Sequence, residues 1–188
     1  RDLHWINGHI PDGALAMAVD VSASESVFVV MGPEARSFLQ PLIPQSLANE
    51  DFAFGTLQSI EIGYAVARAH RVTYVGELGW ELYVSADMSA HVFEAIMAQR
   101  QSHPLAMCGL HALDSCRIEK GFRHFGHDIS NEDHVLEAGL GFAVKEEKLA
   151  GKFGVMIGAD AVKAKRNDGL SQRLLQFRLR DPNPLLYH

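Results

Sequence analysis

The chain has 188 residues, 47% of them apolar, which is enough to bury a core and excludes global disorder. Seventeen Lys and Arg against 23 Asp and Glu leave a net charge of −6, so nucleic acid and anionic membrane surfaces are excluded as general partners. The balance is uneven: residues 1–144 carry eight basic and 18 acidic side chains, residues 145–188 nine and five, and an organisational boundary is expected there. The two cysteines, Cys108 and Cys116, are too few for a disulfide framework and fit a reducing compartment, the bacterial cytoplasm or the mitochondrial matrix. Apolar runs such as Val27 to Met31 are far short of a membrane span. The N-terminus has neither Met nor a signal pattern and reads as a cut or processed start.

In chain order, Leu15–Val21 alternates apolar with small or polar residues, and a second apolar run ends at Met31; both predict strands. Gly32-Pro33-Glu34 opens a helix that carries Phe38, Leu39 and Leu42 to the core, stopped by Pro41 and Pro44. Residues 60–66 predict one strand with Ile60, Ile62, Tyr64 and Val66 on one face. Residues 71–84 predict two short strands around a turn containing Gly76 and Gly79. On the second arm Trp80, Leu82 and Val84 face one way, Glu81 and Tyr83 the other. Val92, Phe93, Ile96 and Met97 follow at helical spacing with Asp87 as cap. A further helix runs from about Gly109 to Lys120 and ends at Gly121. Residues 146–170 predict a short helix plus connection, and Leu175–Arg180 an alternating strand.

Phosphate-cradling motifs are absent, since Gly139-Leu-Gly141 lacks the third glycine of the dinucleotide fingerprint and no Walker loop occurs. His124, His127, Asp128, Asp133 and His134 cluster by composition without zinc-ligand spacing, so no metal is expected. His70, between Arg68 and Arg71, is an imidazole that could donate or accept a hydrogen bond. Asp114 and Arg117, three apart on a helix, suit a local ion pair. The strongest chemical pair is Glu81 with Tyr74. A carboxylate on a strand between aromatics, beside a glycine turn, suits bidentate hydrogen bonding to a heterocycle bearing adjacent N–H and amino donors. The same pattern describes a Glu on a solvent-facing sheet surface, and the residues alone leave both readings open.

Several stretches carry a resemblance: residues Arg1 to Trp5, Val30 to Pro33, Arg71 to Glu81, Gly109 to Gly121 and Leu136 to Phe142. In this order they resemble the folate-binding family of the glycine-cleavage T-protein, the aminomethyltransferase, and more closely the folate domain of the dimethylglycine and sarcosine dehydrogenases, which are FAD enzymes. The resemblance implies an α+β fold of antiparallel sheets with flanking helices. It implies a folate-binding domain over 1–145 lacking its N-terminal part, a connection over 146–170, and over 171–188 the first strand of a truncated C-terminal β-barrel domain.

The implied cofactor is tetrahydrofolate, with Glu81 binding the pterin ring and Tyr74 forming part of the pocket. Leu113 departs from the T-protein pattern, which has arginine before the aspartate. The family's catalytic aspartate would precede Arg1, so no catalytic residue is assigned, and the isolated chain is expected to be inactive. FAD would belong only to a parent domain upstream, an expected partner. The implied chemistry is flavin oxidation of the N-methyl group of a methylated amine, the one-carbon unit being captured on tetrahydrofolate N5 as methylenetetrahydrofolate. Two rivals are a glycine-cleavage aminomethyltransferase and a folate-binding iron–sulfur assembly scaffold; the latter's cysteine motif would fall near Lys152–Gly158, where no cysteine occurs.

Overall fold

The computed structural model describes residues 2–181, 183 and 184. They divide into two compact units, 1–113 and 114–188.

The first unit opens with a short helix α1 (Asp2–Asn7) and is built on an antiparallel sheet of β1 (Glu25–Met31), β2 (Leu57–Ile62), β3 (Ala65–His70) and β4 (Gly79–Ser85), in the order β1-β4-β3-β2. Helix α2 (Ala35–Leu39), a 3-10 turn at Gln40–Leu42 and helix α3 (Ser89–Gln99) pack on one face. The sheet sends Val30, Ile60, Ile62, Ala65, Ala67, Ala69, Trp80, Leu82 and Val84 into the core, where they meet Phe38, Leu39, Leu47, Phe52, Val92 and Ile96. Alternation along β4 falls as the side-chain period of two requires: Trp80, Leu82 and Val84 are buried, and Glu81 and Tyr83 lie on the more open face. The antiparallel sheet with flanking helices is the α+β architecture expected from the sequence.

Helix α2 carries Phe38 and Leu39 inward as expected. Helix α3 buries Val92 and Ile96 but leaves Phe93 half-exposed. Asp87 does not cap it. Asp87 lies within a preceding 3-10 turn, Ala86–Met88, while the Ser89 hydroxyl is within hydrogen-bond distance of Ser26 Oγ at 2.7 Å and the Ser85 carbonyl at 3.2 Å.

Three predicted strands differ. Residues 60–66 form two strands, because Gly63, at φ +59°, turns the chain immediately after Ile62. A two-residue loop with glycine first suits a hairpin; it inverts the face of everything beyond it, so Ala65, Ala67 and Ala69 are buried while Tyr64 and Val66 are exposed. The close approach of His91 adds a second reason for glycine: a Cβ at position 63 would lie 2.4 Å from His91 Nε2. Residues 15–21 have no strand partner among the described residues, and Leu15, Met17, Val19 and Val21 are exposed; alternation makes a strand only where a partner satisfies its backbone. The first arm expected over 71–84 is likewise irregular. Arg71 continues the β2–β3 edge through Gly55 N–H to Arg71 O at 2.8 Å and Arg71 N–H to Thr56 O at 3.0 Å, after which the chain leaves the ladder.

In the second unit, helix α4 (Leu110–Lys120), which crosses from residue 113 to 114, ends as expected at Gly121, where φ is +75°. Two short helices follow, α5 (Glu146–Leu149) and α6 (Ala159–Asp168). Residues 175–180 have no strand partner among the described residues, so their alternating pattern does not become a ladder. Part of the expected opening strand of a further domain, at Pro182 and 185–188, lies outside the described residues, as does Arg1.

Candidate functional site

Register decides what surrounds Glu81. Across β1 it faces Val29, and across β3 it faces His70, so the three side chains form one row on the face of the sheet opposite the core. The next row is Val27, Tyr83 and Arg68. Directly opposed residues in antiparallel strands have Cβ atoms about 4.5–5.5 Å apart. A carboxylate, an imidazole and two valines that are each about half exposed thus share one small surface.

The carboxylate is held from one side. The Tyr83 hydroxyl donates to Glu81 Oε2 at 2.7 Å. This hydrogen bond, followed by burial and the nearby negative charge of Glu81, raises the Tyr83 phenol above its ordinary value of 10.0. The ring of Tyr83 lies under the Arg68 guanidinium, 5.7 Å from its carbon, and Arg68 Nη2 donates to both Glu25 oxygens at 2.6 and 2.7 Å. Glu81 Oε1 and the remaining lone pairs of Oε2 can still accept. Two carboxylate oxygens accepting side by side match a planar edge with adjacent N–H donors.

The other side of β4 is rigidly backed. Trp80 packs edge-on to Phe52 at 6.1 Å, and the guanidiniums of Arg36 and Arg71 lie 5.8 and 5.9 Å from its ring centroid. Asn49 Oδ1 accepts from Arg36 at 2.6 Å and from Arg71 at 2.7 Å. Burial, with Arg36 beside it, lowers Arg71 from the ordinary guanidinium range.

Tyr74 lies half-buried in the loop that delivers the chain into β4. That loop is shaped by Gly76, at φ +80°, whose N–H donates to Thr73 Oγ1 at 3.1 Å, and by Gly32 N–H donating to Leu78 O at 2.8 Å. Glu81 and Tyr74 are therefore carried on a strand and on the loop leading into it, and the contact partner of the Glu81 carboxylate on its own face is Tyr83.

The other candidates have local roles. Arg117 Nε donates to Asp114 Oδ1 at 2.7 Å, and Arg117 also pairs with Asp128, the local ion pair expected at that spacing. Asp128 accepts from the His124 N–H at 2.8 Å, Asp133 from the Ser130 N–H at 2.7 Å, and His134 Nδ1 from the Leu136 N–H at 3.1 Å. Among the described residues no three or more His, Cys, Asp or Glu converge as a metal site. Cys108 and Cys116 are exposed thiols, and no helix of the described residues is long and apolar enough to cross a membrane.

Residues 1–148 match the family model described as the GCVT N-terminal domain. The chain belongs to that family. The resemblance carried by its motif stretches is thereby confirmed. This GCVT N-terminal domain is 37% identical over 179 residues to the 4-methylaminobutanoate oxidase (formaldehyde-forming) of Paenarthrobacter nicotinovorans, covering 95% of this chain and 21% of that protein. It is 35% identical over 167 residues to the mitochondrial sarcosine dehydrogenase of Homo sapiens, covering 89% of this chain and 18% of that one. With the aminomethyltransferase of Halothermothrix orenii it shares 32% identity over 183 residues, 96% of this chain and 48% of that one. The chain thus spans about a fifth of the length of the first two relatives.

Sequence reasoning placed Glu81 and Tyr83 on one face but missed Val27, Val29 and the placement of His70. The period-two pattern of β1 contained part of the signal, since Val27 and Val29 alternate with Phe28 and Val30. Which strand lies beside β4 in the GCVT N-terminal domain is a matter of pairing, which no local pattern carries.

Proposed function

We propose that this chain is the tetrahydrofolate-binding part of a larger enzyme of the dimethylglycine and sarcosine dehydrogenase kind, with Glu81 recognising the pterin ring. The observation that carries the reading is the open Glu81 carboxylate, fixed by Tyr83 at 2.7 Å and flanked in register by Val29 and His70. The donor set fits the group. A pterin presents adjacent ring N–H and amino donors, and a carboxylate accepts both in one plane. Val27 and Val29 offer apolar surface beside it, and Tyr74 would contribute from the loop before β4.

When bound, the reduced folate supplies a nucleophilic nitrogen for taking up the one-carbon unit of an oxidised N-methyl amine, the oxidation belonging to FAD held elsewhere in the parent protein. The residues of this chain bind and orient. Holding the reacting partners in one geometry replaces a bimolecular encounter, and the organic reactivity resides in the cofactors. Leu113, where the aminomethyltransferase pattern has arginine, favours the dehydrogenase reading over the transferase reading.

The test is a calorimetric titration of the chain with 5-formyltetrahydrofolate, run beside Glu81→Ala. The expected result is binding by the chain and a loss of roughly tenfold or more in the variant, the scale of a charged hydrogen-bonding group removed. Equal affinity in the two proteins, or no uptake by the folded unsubstituted chain, would overturn the reading.

A further inference from the structure

The phenol of Tyr83 is the only hydroxyl donor that reaches the Glu81 carboxylate among the hydrogen bonds of the described residues, and it approaches one oxygen, Oε2, at 2.7 Å. Its own ring is not free to wander. Tyr83 sits in the row between Val27 and Arg68; the Arg68 guanidinium lies 5.7 Å from the ring centroid and is anchored on both oxygens of Glu25. A line of contacts therefore runs from Glu25 on β1 through Arg68 on β3 to Tyr83 and Glu81 on β4. The Glu25–Arg68 ion pair spans β4, which lies between β1 and β3, and the remaining links join neighbouring strands or neighbouring positions of one face.

We infer that Tyr83 is a positioning residue that sets the ligand specificity of Glu81, locking the carboxylate as an acceptor so that the site selects planar heterocycles presenting two adjacent N–H donors. This inference rests on the folate reading above. Its chemical basis is directional. A hydroxyl donating to Oε2 uses one lone pair of that oxygen and fixes where the remaining acceptor lone pairs of the carboxylate point. A ligand edge that offers an acceptor in place of either donor then meets a carboxylate oxygen with no proton to give, which is the repulsive half of specificity. Without the phenol, the Glu81 side chain regains its rotamer freedom, and a mispositioned carboxylate makes one good hydrogen bond where it had made two. The ring face of Tyr83 has a second, separable function, carrying Arg68, so the hydroxyl can be removed while the packing is kept.

The groups that face the Tyr83 hydroxyl and ring are Glu81 on its own strand, Arg68 and His70 from β3, and Glu25, Val27 and Val29 from β1. Glu81 and Glu25 oppose ionisation of the phenol and Arg68 favours it, the hydrogen bond to Glu81 being the largest influence. That makes the bond observable without ligand.

The experiment has two arms. In the first, the alkaline absorbance change of Tyr83, taken as the difference between the chain and Tyr83→Phe, is followed again in Glu81→Gln against Glu81→Gln carrying Tyr83→Phe. Tyr83 is expected to ionise at lower pH once Glu81 is neutral; an unchanged titration would overturn the inference at its root. In the second, the chain, Tyr83→Phe and Glu81→Ala are titrated with 5-formyltetrahydrofolate, then with 5,8-dideazafolate and its 2-desamino-2-methyl counterpart, which lacks the exocyclic donor.

Tyr83→Phe is expected to lose about tenfold in affinity and most of the preference for the 2-amino compound, with its thermal midpoint unmoved. A purely structural role would weaken both dideazafolates alike and leave the preference intact, which would overturn the inference. If the chain binds folate, Glu81→Ala loses it and Tyr83→Phe keeps both affinity and preference, the folate reading stands and the role of Tyr83 falls alone. If the chain takes up none of the three compounds, the folate reading falls and the specificity role with it, whatever the absorbance arm shows.

Discussion

In residues 1–113 seventeen buried apolar side chains form one core, whereas in 114–188 the buried apolar side chains among the described residues are Ala138, Leu149 and Val162, and two charged residues, Arg117 and Glu137, are buried beside them. The first unit is a sheet sealed by helices, and its stability comes from area removed from water, at about 25 cal/mol per Å². The second is tied by charge. Arg117 joins Asp114 and Asp128 and also donates to the Phe122 carbonyl at 3.2 Å. Glu137 accepts from Lys165 at 2.6 Å and Ser171 at 3.2 Å, while its own carbonyl takes the Leu174 N–H at 2.9 Å. One side chain thus fastens α6 and the segment after it. The difference teaches where to look for sensitivity to acid and salt: apolar burial carries no protons, whereas ion pairs do.

The largest expected effect tests the apolar half. Leu82, fully buried in the centre of β4, is replaced by Ala at a cost of about 3 kcal/mol, read by chemical denaturation. The cost should be the same at pH 5 and pH 8, because nothing that titrates is removed; a strongly pH-dependent difference would break the contrast.

Next is the charged half. Arg117→Leu leaves Asp114 and Asp128 without their cation, and the lost network is expected to cost about 2 kcal/mol, less than a fully buried pair because Asp114 remains half exposed to water. Hydrogen exchange should place the loss in residues 114–188 and leave β1–β4 protected. Faster exchange throughout the sheet would show that the two units do not respond separately.

The smallest effect is the most diagnostic. The hydrogen bond from Lys165, with those from Gln172 and Ser171 and the positive charge of Lys165, holds the Glu137 carboxyl below its ordinary value of 4.5, against the opposing influence of burial. A depressed carboxyl contributes stability that is complete above the unfolded value and is lost as pH falls through the folded one. Glu137→Gln should therefore be less stable than the unsubstituted chain at pH 7, and the gap should close as pH drops below about 4.5. A gap that persists unchanged at pH 3, measured by thermal melting, would assign Glu137 a packing role instead.

The reach of local pattern is visible in particular residues. Alternation along β4 identified both faces, because a strand's side-chain period is fixed by backbone geometry alone, and Glu81 and Tyr83 were placed together on that ground. Gly121 ended α4 as expected, since its positive φ is a local demand. The same alternation misled at Leu15–Val21, where it was present and strand pairing among the described residues was not. It also misled at 60–66, where Gly63 turned a presumed strand into a hairpin and exchanged the exposed and buried sets beyond it.

By itself, then, the sequence determined the family through its ordered motifs, the α+β class through its mixture of periods, and the carboxylate and phenol on one face of a strand. Only the tertiary structure decided that Val29 and His70 flank Glu81, that Arg68 steadies Tyr83 from another strand, and that Glu137 gathers Lys165 and Ser171. The reason is physical: periodicity and turn chemistry act over a few residues, whereas register and ion pairing join positions tens of residues apart through backbone ladders and charges that come together only once the chain has folded.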